Sequence, residues 1–201
     1  MTLLTLVRHG QTDWNAAGLI QGSTDIPLND TGRQQARDAA SRLRATIAPD
    51  EPVMVVSSDL SRARETAEII AAELGLSVSG EYPELRERGY GEAEGLEPQE
   101  FFARWGDWHS AEVPGAEPWP DVRARAIAGL RLVARDARRT TAPAAASVIC
   151  VSHGALIREL IRHATAGELP LPGTKLANGS AYRVLLEKER LRLLSYDDVL
   201  V

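Results

Sequence analysis

Cysteine is almost missing from this 201-residue chain: Cys150 stands alone. That excludes an internal disulfide framework and fits a reducing compartment. Long apolar runs are missing too, and none approaches the ~20 residues that a membrane helix needs. The N-terminus lacks the basic-then-apolar layout of a secretory signal, because Arg8 follows a very short apolar run. A cytoplasmic protein with no membrane partner is expected. There is no excess of positive charge either, since the formal net charge is −5. The chain as a whole therefore does not read as a nucleic-acid binder, and an anion site has to come from local placement of arginine. No Gly-Lys-Ser/Thr closes a glycine loop, which excludes a P-loop.

What is present is ordinary in bulk, with 44% hydrophobic and 25% charged residues. Length and composition predict one domain over residues 1–201. The run Leu3 to Val7 reads as a strand. A helix follows over 31–47, with Ala36, Ala39, Ala40, Leu43 and Ile47 on one stripe and Asn29 or Thr31 as its cap. Val53 to Val56 reads as a buried parallel strand, followed by a helix that turns Ala63, Thr66, Ala67, Ile70 and Leu74 inward and stops at Gly75. A long helix after Pro120, with Val122, Ala126, Leu130, Val133 and Ala137 inward, leads through a linker over 140–146 to the strand Ser147 to Val151. A helix with Leu156, Ile157, Leu160 and Ile161 and a hairpin turning over 187–190 close the chain. Alternating strands and helices predict an α/β fold. The stretch 85–120 is looser; Phe101, Phe102, Trp105 and Trp108 are expected on one face of a short helix. A substrate lid or specificity wall is expected there. The helix arginines Arg33, Arg37, Arg42, Arg44, Arg123, Arg125 and Arg138 are expected to be solvated surface.

Two strand ends carry the chemistry. The first delivers Arg8-His9-Gly10 and the later one Ser152-His153-Gly154, whereas His109 and His163 carry no motif. Strand ends on one sheet edge are where α/β proteins bind ligands. Neither histidine has an acidic residue or cysteine at metal-ligand spacing, apart from Cys150 inside its own strand, so no metal is expected. Phosphoryl transfer needs fixed positive charge around the equatorial oxygens. Arg8 supplies one guanidinium and Arg62 another, in the first turn of a helix whose amides also favour anions. Asn15 and Gln21 offer neutral donors, or serve ordinary turns. A cysteine phosphatase would need arginine six positions beyond Cys150, where this chain has Leu156.

The segment Leu6-Val7-Arg8-His9-Gly10-Gln11-Thr12-Asp13-Trp14-Asn15 resembles the signature of the histidine phosphatase superfamily, the phosphoglycerate-mutase-like proteins. Residues 57–67, Leu85-Arg86-Glu87 with Gly91 and Gly95, and Val151-Ser152-His153-Gly154 resemble its further motifs, in the family's order and over nearly the whole chain. The resemblance implies a three-layer α/β/α sandwich with a mostly parallel central sheet and helices on both faces. It implies that His9 is the nucleophile that becomes phosphohistidine, that Arg8, Arg62 and His153 complete the phosphate pocket, and that Glu87 is the proton donor. It also implies phosphate or substrate contacts at Asn15, Gln21 and Gly22, and no cofactor. Arg86 and Arg88 would oppose protonation of Glu87 unless they point away.

The expected activity is hydrolysis of a small phosphorylated metabolite, with specificity in an insertion over about 88–120 where Arg88, Arg104 and the tryptophans are candidate contacts. A cofactor-dependent phosphoglycerate mutase is the alternative. The resemblance to mutases weakens at Glu87-Arg88-Gly89-Tyr90, where they carry Glu-Arg-His-Tyr, and residues 96–120 offer only Arg104 as a further cation. Phosphatases of the family commonly have tryptophan where this chain has Ala93. A non-catalytic binding protein would be marked by loss of His9, Arg62 or His153, and all three are present. A homodimer is left open.

Overall fold

A computed structural model describes residues 1–108, 110–144, 146–171, 173–188, 190–196 and 199–200. His109, Ala145 in the linker and Glu189 in the hairpin turn lie outside them. In chain order the elements are β1 (Thr2–Arg8), α1 (Asp13–Ala16), α2 (Asp30–Arg44), β2 (Val53–Ser57), α3 (Ser61–Leu74), β3 (Val78–Glu81), α4 (Pro98–Trp105), α5 (Trp119–Thr141), β4 (Ser147–Ser152), α6 (Gly154–Ala164), β5 (Ala181–Leu186), β6 (Leu191–Tyr196) and β7 (Val199–Leu200).

The strands form one seven-stranded sheet in the order β3-β2-β4-β1-β5-β6-β7. β3, β2, β4 and β1 pair in parallel. The terminal hairpin then continues the sheet from β1 with antiparallel pairings. Alternation along the parallel strands supplies both faces. Leu4, Leu6, Val56, Val148 and Cys150 pack against α5 and α6, through Leu130, Val133, Leu156 and Leu160 among others. Val7, Val55, Ile149 and Val151 pack on the other face against α2 and α3, through Ala39, Leu43, Ala67 and Ile70. The result is a three-layer α/β/α sandwich.

Local chemistry sets the helix ends. Asn29 caps α2, its side chain accepting from Gly32 N at 2.9 Å. Ile47 lies beyond that helix but still packs against its cluster. Gly75 ends α3 in the left-handed conformation, at φ 72°.

The segment between β3 and α5 builds a small core from Tyr90, Ala93, Phe101 and Val113, joined by Ile20 from the loop after α1, with Trp105 and Trp108 packed against it. Phe102 does not share that face: it is 51% exposed and meets Phe101 edge-on. Adjacent residues on a helix do not point the same way, and Trp108 lies beyond the end of α4 at Trp105, so the expected four-aromatic helix face reduces to Phe101 and Trp105. Among the described residues no helix is long and apolar enough to cross a membrane.

Candidate active site

β4 lies between β1 and β2, so three neighbouring strands end at one edge. Register places Arg8 opposite Ser152, and His9 N continues the ladder by donating to Ser152 O at 2.9 Å. His9 and His153 follow those partners, and their rings stand 5.2 Å apart. Arg62 enters from the first turn of α3. Both imidazoles and Arg62 are buried. The glycine after each histidine serves close approach. A Cβ on Gly10 would lie 2.3 Å from Gly32 O, and one on Gly154 would meet Arg8 Nε at 3.2 Å.

His9 Nδ1 faces the Gly10 carbonyl at 2.6 Å. A carbonyl only accepts, so Nδ1 carries the proton and Nε2 keeps its lone pair. Burial, then Arg62 and Arg8, hold the His9 pKa well below the ordinary imidazole value. Burial, followed by Arg62, His9, Arg8 and Arg125, does the same to His153. Burial also lowers Arg8, and brings Arg62 down to about 10. Arg8 Nε and both ring nitrogens of His153 are buried without a hydrogen-bond partner in the protein. Enclosed, unpartnered donors beside two guanidinium groups suit an oxyanion.

Glu87 docks on the start of α6. Its Oε1 accepts from Leu156 N at 3.1 Å and Arg88 N at 2.9 Å, and its Oε2 accepts from Ala155 N at 3.0 Å. The Ala155 and Leu156 amides are ones that a helix N-terminus leaves open. Both neighbouring arginines turn away. Arg86 forms a two-pronged pair with Asp59, at 2.6 and 2.5 Å, and pulls that carboxyl below its usual range. Arg88 donates to Glu117 O at 2.8 Å and lies over the rings of Tyr90 and Trp119.

The contacts expected in the first loop are also architectural. Asn15 is part of a capping box with Thr12 at α1. With its amide oxygen toward Arg62, Gln21 accepts from Nη1 at 3.1 Å and Nε at 3.3 Å. The carbonyls of Gly22 and Thr24 take Arg62 Nη2 and Nη1 at 2.7 and 2.9 Å. Gly22 has φ 58°, and a Cβ there would strike the Glu94 carboxylate at 2.2 Å.

Several residues that organise the site carry no legible motif. Glu94 accepts from Ser23 N, Thr24 N and Tyr90 N at 2.8, 2.9 and 2.9 Å, and from both loop hydroxyls. Burial raises the Glu94 pKa, but hydrogen bonds led by Thr24 and Tyr90 N outweigh it and lower the net value. Glu94 therefore pins the loop whose carbonyls aim Arg62. Arg125, expected on the surface, ties down the Glu87 segment: it donates to the carbonyls of Glu84 and Arg86 at 2.8 and 2.9 Å and pairs with Glu117. Arg42 and Arg123 are likewise engaged, with Gly179 O and with the buried Glu159. A guanidinium on a helix surface reaches a neighbouring loop over its apolar stem. Arg104 pairs with Glu100 on its own helix. Among the described residues, no group of three or more His, Cys, Asp and Glu side chains is placed to hold a metal ion.

Comparison with known proteins gives a consistent result. Residues 4–199 match the histidine phosphatase superfamily (branch 1). A phosphatase of Bacillus subtilis, PhoE, is 36% identical over 197 residues, covering 98% of this chain and 95% of that protein. The metal-independent phosphoserine phosphatase of Arabidopsis thaliana is 34% identical over 208 residues, covering 99% of this chain and 82% of that one. The structure of a mycobacterial glucosyl-3-phosphoglycerate phosphatase complexed with VO3 superposes with TM-score 0.78 at 30% identity, covering 98% and 99% of the two chains. With its motifs gathered at one sheet edge, the chain belongs to the histidine phosphatase superfamily, whose phosphatases work through a phosphohistidine.

Proposed function

We propose that this chain hydrolyses small phosphomonoesters in two steps, with His9 as the group that carries the phosphoryl between them. The observation that supports this most is the His9 Nδ1 proton held by the Gly10 carbonyl, which leaves Nε2 as a nucleophile. Nε2 attacks phosphorus and the ester P–O bond breaks. Arg8, Arg62 and His153 surround the transferring group and donate to its equatorial oxygens. The departing alkoxide takes a proton from Glu87. Oε2 is the oxygen for this task, because it accepts one backbone amide where Oε1 accepts two. Glu87 then removes a proton from water, whose oxygen attacks phosphorus and releases phosphate and neutral His9.

The second phosphate of a mutase would need further cations facing His9. Arg104, the candidate in 96–120, is spent on Glu100, which favours hydrolysis. The segment over about 88–120 forms the specificity wall of the domain. Phosphoserine and glucosyl-phosphoglycerate, named for two relatives, both carry a carboxylate besides the phosphate. A phosphorylated small carboxylate is therefore the substrate class we propose, with Arg88 as its partner; Arg88 Nη1 is buried and donates to no protein acceptor. A cytoplasmic location fits Cys150, whose burial pushes the thiol up to about 12 and keeps it unreactive.

Hydrolysis of an aryl phosphate in excess chelator tests the reading. The parent protein should turn over and form an acid-labile, base-stable phosphoenzyme, and His9→Ala should do neither. No hydrolysis by the parent would leave only a binding protein. A phosphoglycerate tested with and without a bisphosphoglycerate primer separates the two chemistries: primer-dependent isomerisation outrunning phosphate release would make the protein a mutase.

A further inference from the structure

One peptide unit, the His9–Gly10 link, is gripped by side chains at both poles. Asn178, from the loop between α6 and β5, donates through Nδ2 to the His9 carbonyl at 3.0 Å. On the opposite edge, Gly10 N donates to Thr66 Oγ1 at 3.1 Å. Both grips are themselves anchored. The Thr66 hydroxyl donates to the Arg62 carbonyl, one turn back on α3, at 2.7 Å, and Thr66 is fully enclosed. Asn178 Nδ2 is also within 3.2 Å of Asn15 Oδ1. Its loop is held by Arg8 on the Leu176 carbonyl, Arg158 on the Thr174 carbonyl and Arg42 on the Gly179 carbonyl.

A peptide unit is planar, so holding its C=O and N–H at opposite edges fixes the rotation of the whole plane. The next carbonyl, Gly10 O, is the acceptor of His9 Nδ1. Its direction then depends only on the two backbone dihedrals of Gly10 itself, and Gly32 O packs where a Cβ of that residue would stand, at 2.3 Å. Small rotations of this plane would lengthen the Nδ1 bond and release the other tautomer, whose Nε2 is protonated and cannot attack phosphorus.

We propose that Thr66 and Asn178 are positioning residues: by clamping the His9–Gly10 peptide they fix the tautomer and aim of the imidazole. The proposal rests on His9 being the nucleophile. Its contacts bridge 56 and 169 residues of sequence, from a helix and a loop that share no motif with β1.

The test combines imidazole 15N spectra with kinetics on Thr66→Val, Thr66→Ser and Asn178→Ala, with His9→Gln used to assign the His9 signal. The parent should show His9 as a single Nδ1–H tautomer. Thr66→Val and Asn178→Ala should give a mixed or exchanging signal and lower kcat on an aryl phosphate by roughly 10-fold or more, with KM little changed. Thr66→Ser, which keeps the hydroxyl, should restore both. A filler role for Thr66 would instead lower melting temperature while leaving tautomer and kcat alone. A single sharp Nδ1–H tautomer with parental kcat in folded Thr66→Val and Asn178→Ala overturns the clamp. Asn178 is half-exposed, so its variant decides the matter if Thr66→Val fails to fold. The tautomer is read without substrate. Loosening of the tautomer in the variants of a parent that does not hydrolyse would support the clamp and discard the proposed activity.

Discussion

At the scale of single residues, the site is built in two shells of different character. His9, His153, Arg8 and Arg62 aim bare or charged atoms inward, whereas Glu94 acts on the loop whose carbonyls hold Arg62, and Arg125 acts on the backbone that flanks Glu87. Glu94 receives donors from Ser23, Thr24 and Tyr90, and the Gly22 and Thr24 carbonyls hold Arg62. Glu94→Ala should release that loop, let Arg62 drift, and lower kcat/KM on an aryl phosphate by about 100-fold, the penalty typical of an ångström-scale misplacement. Steady-state kinetics with circular dichroism as a folding control checks this; an unchanged kcat/KM in a folded variant removes the role. The inward-pointing residues were legible in the sequence because their types are dictated by phosphate chemistry and they sit at strand ends or, for Arg62, in the first turn of the helix that follows one. The roles of Glu94, Thr66 and Asn178 were not, even though Thr66 lies in the 57–67 motif and was expected to face inward, since each works through a backbone carbonyl or amide far away in the chain, and no spacing records such a bond. Arg125 was misread for a related reason, as a helix arginine looks the same whether it reaches water or a loop carbonyl.

At the scale of elements, the packing of α2 against the turn after β1 is the tightest constraint near His9. A Cβ on Gly32 would lie 2.1 Å from the Gln11 carbonyl, and one on Gly10 would reach Gly32 O. Gly32→Ala should therefore push the start of α2 off the Gly10–Gln11 turn, at a cost of about 1–3 kcal/mol, and reduce kcat as well. Gly75→Ala is the contrast: its φ is 72° but nothing lies within 4 Å of the added Cβ. It should cost a similar ~1–2 kcal/mol and leave kcat unchanged. Chemical denaturation with parallel kinetics separates the two, and equal kinetic effects would show that α2 does not set the turn. The helices and parallel strands were readable from their periodicity. The aromatic segment was less so: four aromatics near helical spacing suggested one face, but Phe102 directly follows Phe101 and turns to solvent.

At the scale of the whole molecule, stability and the site are linked through protons. His9 and His153 are buried, with folded-state pKa values well below 6.5. Below the pKa of about 6.5 for an unfolded imidazole, the unfolded chain binds protons that the folded one refuses. Their contribution to stability is therefore complete above about pH 6.5 and is lost progressively as pH falls toward the depressed values. Melting temperature should drop between pH 7 and pH 5, and the drop should be smaller in a His9→Asn, His153→Asn double variant. Equal pH slopes in calorimetry would show that these imidazoles do not govern acid stability. Inorganic phosphate should raise the melting temperature of the parent, by an amount that grows with concentration over Kd.

The pairing of β1 with β4 has a last consequence. Because Arg8 and Ser152 are register partners and His9 extends the ladder, the gap between the two imidazoles is in effect one inter-strand step of about 4.8 Å. A ruler made of backbone hydrogen bonds does not depend on what lies in the loops above it. The spacing of the two histidines is thus independent of the 88–120 segment, whereas the aim of Arg62 is not, because Glu94 in that segment holds the loop that carries it. A transplanted 88–120 segment should leave the two histidines at their spacing, provided that it keeps a carboxylate where Glu94 stands.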